Sequence, residues 1–136
     1  MKNKLMVLIT GLLPLLAGCG GGDTLAVAGL IVEIREAGTG AAMAYDAVVT
    51  VRDGSYSETV VGSDVIFDGH KEAEAIIQAA YNRPGTYEIT ITHPRYRSWT
   101  RGGVRVERGD GSSPLDGSPL PKTVRVTAEL QPSGGS

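Results

Sequence analysis

The chain has 136 residues, 13 of them basic and 15 acidic, for a net charge of −2. That size fits one domain, and nothing in the slightly acidic balance suggests nucleic-acid binding, which prefers a strongly basic surface. A single cysteine, Cys19, excludes a disulfide framework.

Lys2 and Lys4 precede an apolar run from Leu5 to Leu16, which closes in Leu16-Ala17-Gly18-Cys19. A basic start, an apolar middle and small residues before a cut site make a secretory signal. About 12 apolar positions are too few to span a bilayer, which takes roughly 20. Pro14 would also disturb a spanning helix. The Cys19 thiol sits among glycines, with no core to join and no second thiol to pair with. The closing four residues resemble the bacterial lipobox, which implies cleavage after Gly18 and diacylation of Cys19. Two acyl chains hold a protein stably to a membrane, where one does so only marginally. Gly20, rather than aspartate, in the second mature position points to the outer membrane in a diderm host. Cleavage would remove Lys2 and Lys4, taking the 13 basic residues to 11 and the net charge from −2 to −4. Residues 19–25 then form a lipid attachment and glycine-rich tether, 26–131 the domain, and 132–136 a polar, disordered tail.

From Ala26 the pattern alternates with period two, the mark of half-buried strands. Leu30, Val32 and Ile34 face inward, and Glu33 and Arg35 outward. Thr39-Gly40 breaks the run. Ala47, Val49 and Val51 form the next inward set. Asp53-Gly54 reads as a tight turn returning Ser55 to Val61 as a hairpin partner. Residues 71–81 fit either helix, by propensity, or strand, by alternation of Ala75, Ile77, Ala79 and Tyr81. Asn82-Arg83-Pro84-Gly85 decides for strand: Pro then Gly suits a type II turn, with Gly85 at positive φ. Such a turn would fold 75–81 against Thr86 to Thr92, where Tyr87, Ile89 and Ile91 point inward. After His93-Pro94 come Tyr96 to Trp99, a break at Gly102-Gly103, and inward Val104 and Val106. Residues 109–121 hold three prolines, three glycines and three serines, which predicts a loop. Lys122 to Leu130 is the last strand, with Val124, Val126, Ala128 and Leu130 inward. The pattern predicts an all-β, antiparallel sandwich of about seven strands.

Two segments go beyond generic strand pattern: Asp46-Ala47-Val48-Val49-Thr50-Val51-Arg52-Asp53-Gly54, and Arg83-Pro84-Gly85-Thr86-Tyr87-Glu88-Ile89-Thr90-Ile91 with Tyr96 and Trp99 after it. Together they resemble carboxypeptidase regulatory-like domains, which implies a transthyretin-like (prealbumin-like) sandwich over roughly 26–131. Such domains are usually non-catalytic modules of secreted or surface proteins. Arg95 stands where many of them carry glycine.

The same sandwich also carries enzymes, and their chemistries are not written here. Transthyretin-like hydrolases end in Tyr-Arg-Gly-Ser, whereas this chain ends in Gln131-Pro132-Ser133-Gly134-Gly135-Ser136. Intradiol dioxygenases use paired histidines, and His70 and His93 are far apart in the chain. Metal hydrolysis needs about three protein ligands and an open position. Asp64, Asp68, Asp110 and Asp116 lack calcium-loop spacing. No Gly-x-Ser-x-Gly elbow is present, and Ser112, Ser113 and Ser118 lie in the loop. The reading is therefore non-catalytic, with no cofactor; the alternatives are a carbohydrate-binding or adhesion module using residues 95–108 and, last, a small hydrolase. Arg95, Arg97, Arg101, Arg105 and Arg108 are five of nine arginines within fourteen positions, around Tyr96 and the sole tryptophan, Trp99. Arginines beside aromatics suit anionic headgroups, sugars or a protein partner. Strict alternation would place Arg95, Arg97, Trp99 and Arg101 on one exposed face and turn Tyr96 inward, so those four are the candidate binding residues. The expected setting is the cell envelope, with membrane lipid engaged through Cys19 and an envelope protein or glycan as a further partner.

Overall fold

Period-two alternation produces strands wherever the sequence carries it. The computed structural model describes residues 26–134, so the signal 1–18, Cys19 and the rest of the tether lie outside the described residues. The strands are β1 (Ala28–Glu36), β2 (Val48–Asp53), β3 (Tyr56–Val61), β4 (Ile76–Tyr81), β5 (Gly85–His93), β6 (Tyr96–Val106), β7 (Arg108–Ser112), β8 (Pro119–Pro121) and β9 (Val124–Leu130). A one-turn helix, α1 (Gly62–Val65), and a 3-10 turn at Asp68–His70 join β3 to β4.

A three-stranded sheet, β4-β1-β9, faces a four-stranded sheet, β3-β2-β5-β6, while β7 and β8 make a small sheet of their own. The fold is an all-β sandwich. Leu30, Val32, Ile34, Val49, Val51, Ile89 and Ile91 are fully inaccessible in its core, as the alternation predicts. Each such side chain contributes roughly 1.5–3 kcal/mol on burial. One pairing is parallel rather than antiparallel: β1 lies beside β9 with Leu30 opposite Val124 and Glu36 opposite Leu130.

Residues 76–81 are strand, but their partner is β1, not β5. The segment 82–84 is a crossover between the sheets and not a hairpin turn. Its left-handed residue is Asn82, at φ 53°, whereas Gly85 is not among the positive-φ glycines. Asn82 is pinned to the start of β1: its Oδ1 accepts the Val27 N–H at 2.9 Å, and its N–H donates to the Val27 carbonyl at 2.8 Å. Gly85 instead makes a close approach: a Cβ there would meet the Asp53 carboxylate, which would have to shift. Alternation also slips at Ala80, which takes φ 58°. Ala80 is thereby buried, and Tyr81, predicted inward, is 47 % exposed.

The edge of β4 is closed by carboxylates. The N–H of Ile76 donates to Glu74 and that of Ala80 to Glu58. Capped amides of this kind blunt an edge that would otherwise template pairing. At the opposite seam the sheets are stitched through the backbone. Arg97 N–H donates to the Gln131 carbonyl, and Ser133 N–H to that of Arg95. Pro132 bridges Tyr96, so the chain past β9 still belongs to the sandwich.

The predicted break at Gly102-Gly103 is a bulge within one continuous β6, with Gly103 at φ 66°. The predicted loop 109–121 contains the β7–β8 pair. Residues rich in Pro and Gly form strands there because the pair is short, irregular and outside the main sheets.

Candidate functional site

The directions of the strands give the sandwich two distinct poles. The described chain starts at Ala26 beside Asn82, at the pole shared by Asp53–Tyr56 and Gly85. β1 then runs nine residues, about 30 Å at strand rise, to Glu36 at the other pole. There a cleft of about 580 Å³ opens between the 41–46 segment, Lys71 and Glu72, and the turn His93–Tyr96.

The turn is built by Pro94 and Arg95, with His93 paired to Tyr96 across it. Pro fixes the first turn position, and Arg95 takes φ 69° in the second, the geometry of a type II turn. Glycine is the residue that adopts this conformation without strain. An arginine there costs about 1–2 kcal/mol. His93 Nδ1–H donates to the Pro94 carbonyl at 2.9 Å. In the neutral ring Nε2 is therefore the acceptor. The imidazole sits edge-on to the Tyr96 ring, with centroids 4.8 Å apart. Tyr96 Oη donates to Glu36 Oε2 at 2.8 Å, and Thr39 donates to the other oxygen at 2.7 Å. These bonds, that of Thr39 foremost, hold the Glu36 carboxyl below its ordinary range. The same pairing raises the Tyr96 phenol.

The facing wall is tied by Asp68, which accepts from Tyr45 Oη at 3.0 Å and lies 4.0 Å from Lys71 Nζ. That Lys71 ammonium lies 5.9 Å from the centre of the Tyr45 ring. The Asp68 bond, then burial, raises the Tyr45 phenol. The cleft thus offers two half-buried tyrosine rings and a histidine, under a rim of Arg95 and Lys71 set against Asp46 and Glu72. Mixed charge over aromatic walls suits a polar partner of both signs, held by hydrogen bonds and ring contacts.

Of the four residues predicted to bind, only Arg95 lines this cleft. Arg97, Arg101 and Trp99 lie further along β6, whose 11 residues extend about 35 Å. Concentration in sequence is not concentration in space. Two register shifts between β5 and β6 also break the expected alternation. Trp99 sits opposite buried Ile91 and packs, half-buried, on the core, as Tyr96 also does. Arg101 is exposed, with its guanidinium carbon 5.4 Å from the Trp99 ring centre. Tyr45, Asp46, Lys71, Glu72 and the 41–43 segment are not among the predicted site residues. They lie between strands, where no periodicity marks them.

A second groove, about 440 Å³, runs along the β3/β4 seam beside Phe67 and Tyr81. Among the described residues no three His, Cys, Asp or Glu side chains stand together to hold a metal ion. No helix among them is long and apolar enough to cross a membrane. Compared with known proteins, the chain matches no family model, and no curated protein matches it.

Proposed function

We propose that this chain is a lipid-anchored, non-catalytic module of the bacterial cell envelope, a sandwich of the carboxypeptidase regulatory-like kind that presents its cleft to a partner. The observation that carries this reading is polar separation. The chain enters the sandwich at one pole and the cleft opens at the other, about 30 Å away by the length of β1. An acylated Cys19 would hold the first pole at the bilayer and point the cleft outward. The strained Arg95 supports a role for the cleft, since strain of this sort collects at working surfaces. The cleft's two phenols are engaged with Asp68 and Glu36, which favours binding over turnover.

Two measurements test the reading. The mature protein should partition into detergent, and Cys19→Ser should leave an uncleaved or water-soluble form; a free Cys19 thiol in mature protein refutes the anchor. A photo-crosslinker at Ala41 should then give a discrete adduct in intact envelopes that Lys71→Glu abolishes, while one at Ser57, near the other pole, gives none. Equal adducts from both positions would remove the cleft from consideration. The tyrosine rings of the cleft favour a glycan as the second reading, and saturable binding of the full chain to a glycan array would select it over a protein.

A further inference from the structure

We propose that the β7–β8 hairpin is a membrane-contacting finger that sets Leu115 into the headgroup region beside the lipid anchor. The proposal rests on acylation of Cys19. The finger leaves and rejoins the body where the described chain begins. At its base Lys122 N–H donates to the Glu107 carbonyl at 2.8 Å, and Thr123 Oγ1 donates to the Ala28 carbonyl at 2.7 Å. Val106, just before it, pairs with Gly85, and Val124, just after it, pairs with Leu30. β7 and β8 hydrogen-bond only to each other among the described strands. Arg108, Asp110, Gly111 and Ser112 are all exposed, so β7 stands off the body instead of lying along it.

The tip is finished as a closed unit. Ser113 N–H donates to Ser118 at 2.7 Å and Gly117 N–H to Ser113 at 2.8 Å. Asp116 Oδ1 accepts from both the N–H and the hydroxyl of Ser118, at 3.0 and 2.8 Å. Backbone groups paired in this way enter an interface at lower cost than unpaired ones, while the Asp116 carboxylate stays on the watery side of the headgroups. Leu115 is turned outward at this tip, 76 % exposed.

Lengths decide the occupant. Seven residues, Cys19 to Leu25, separate the acylated position from the described chain. A glycine-rich linker of that length would span about 15 Å on average and about 25 Å at most. The five residues of β7 reach about 17 Å. A finger as long as the tether, rooted at the same pole, meets the surface in which the tether ends. Tyr81, opposite Ala28 and partly exposed, adds an interfacial ring at that pole.

The test uses the full chain carrying Leu115→Cys, in which acylation of Cys19 leaves the introduced thiol as the only reactive one. An environment-sensitive fluorophore on that thiol is read in vesicles of phosphatidylethanolamine and phosphatidylglycerol, with and without doxyl-labelled lipid. The same label on Ala41→Cys, at the cleft pole, is the control. A blue shift and doxyl quenching at position 115 but not at 41 is the expected result. Vesicle-bound protein with no quenching at 115 overturns the finger and leaves Leu115 to a protein partner. Quenching at both positions overturns it too, since the sandwich would lie flat. If Cys19 itself takes up label and the protein stays off vesicles, the anchor reading fails and the finger falls with it.

Discussion

The two ends of β5 each carry an arginine beside a proline, and the sandwich uses them in opposite ways. Arg83 is consumed by structure. Its Nη1 lies 3.0 Å from Asp53 Oδ2 and 3.0 Å from Tyr87 Oη, and its guanidinium carbon lies 3.9 Å from the centre of the Tyr56 ring. Tyr87 Oη in turn donates to the Arg83 carbonyl at 2.6 Å. A tyrosine bonding back to the chain a few residues upstream locks a corner between sheets. Arg95, at the other end, is exposed and strained on the rim of the cleft. The difference teaches that the same residue type at matching ends of one strand can be spent inside the fold or left outside it. Arg83 has its partners within the fold, whereas Arg95 is held in a left-handed conformation and turned outward.

Breaking the first end should have the largest effect. Arg83→Ala removes an ion pair, a phenol bond and a ring contact together, and should cost about 2–3 kcal/mol, read as a lower urea midpoint. A loss below about 0.5 kcal/mol, the usual scale of a surface substitution, would make the two arginines equivalent. Gly85→Ala comes next, at about 1–2 kcal/mol, because the new Cβ displaces the Asp53 carboxylate and not because of φ. In an Asp53→Ala background most of that loss should vanish, which a double-mutant cycle would show.

At the second end the sign reverses. Arg95→Gly relieves a left-handed arginine and should stabilise the fold by about 0.5–1 kcal/mol, while weakening adduct formation at the cleft. A destabilised Arg95→Gly protein would mean that Arg95 is structural after all.

The smallest effect at neutral pH concerns Tyr56, whose phenol donates to Glu58 at 2.9 Å. Burial first, and Glu58 second, push its pKa from 10.0 up to about 12. The folded state thus holds this proton more tightly than the unfolded chain. Its contribution is complete below pH 10 and drains away as pH rises from 10 to about 12. Tyr56→Phe should flatten the melting temperature across that window. An unchanged slope would leave the Tyr56–Glu58 bond without energetic weight. On the acid side the sign is the opposite. Thr39 and Tyr96 hold Glu36 below its ordinary value, so its contribution is lost as pH falls through that depressed range.

The sequence by itself determined β1, β2, β5 and β9 and their inward residues, because alternation is local and these strands carry it in one unbroken stretch. Leu30, Val32 and Ile34, and Val126, Ala128 and Leu130, needed nothing else. The Asp53-Gly54 hairpin was legible for the same reason: two strands joined by a two-residue loop meet without any choice of partner. Tertiary structure decided which strands pair across longer distances. The Asn82–Gly85 segment carries residues of a hairpin turn, yet β4 crosses to β1, because Asn82 is fastened to Val27, 55 positions earlier. It also decided the β6 bulges that turn Trp99 onto the core. The cleft belongs wholly to this second kind. Its walls come from the 41–46, 71–72 and 93–96 segments, which meet only because three separate strands end at one pole.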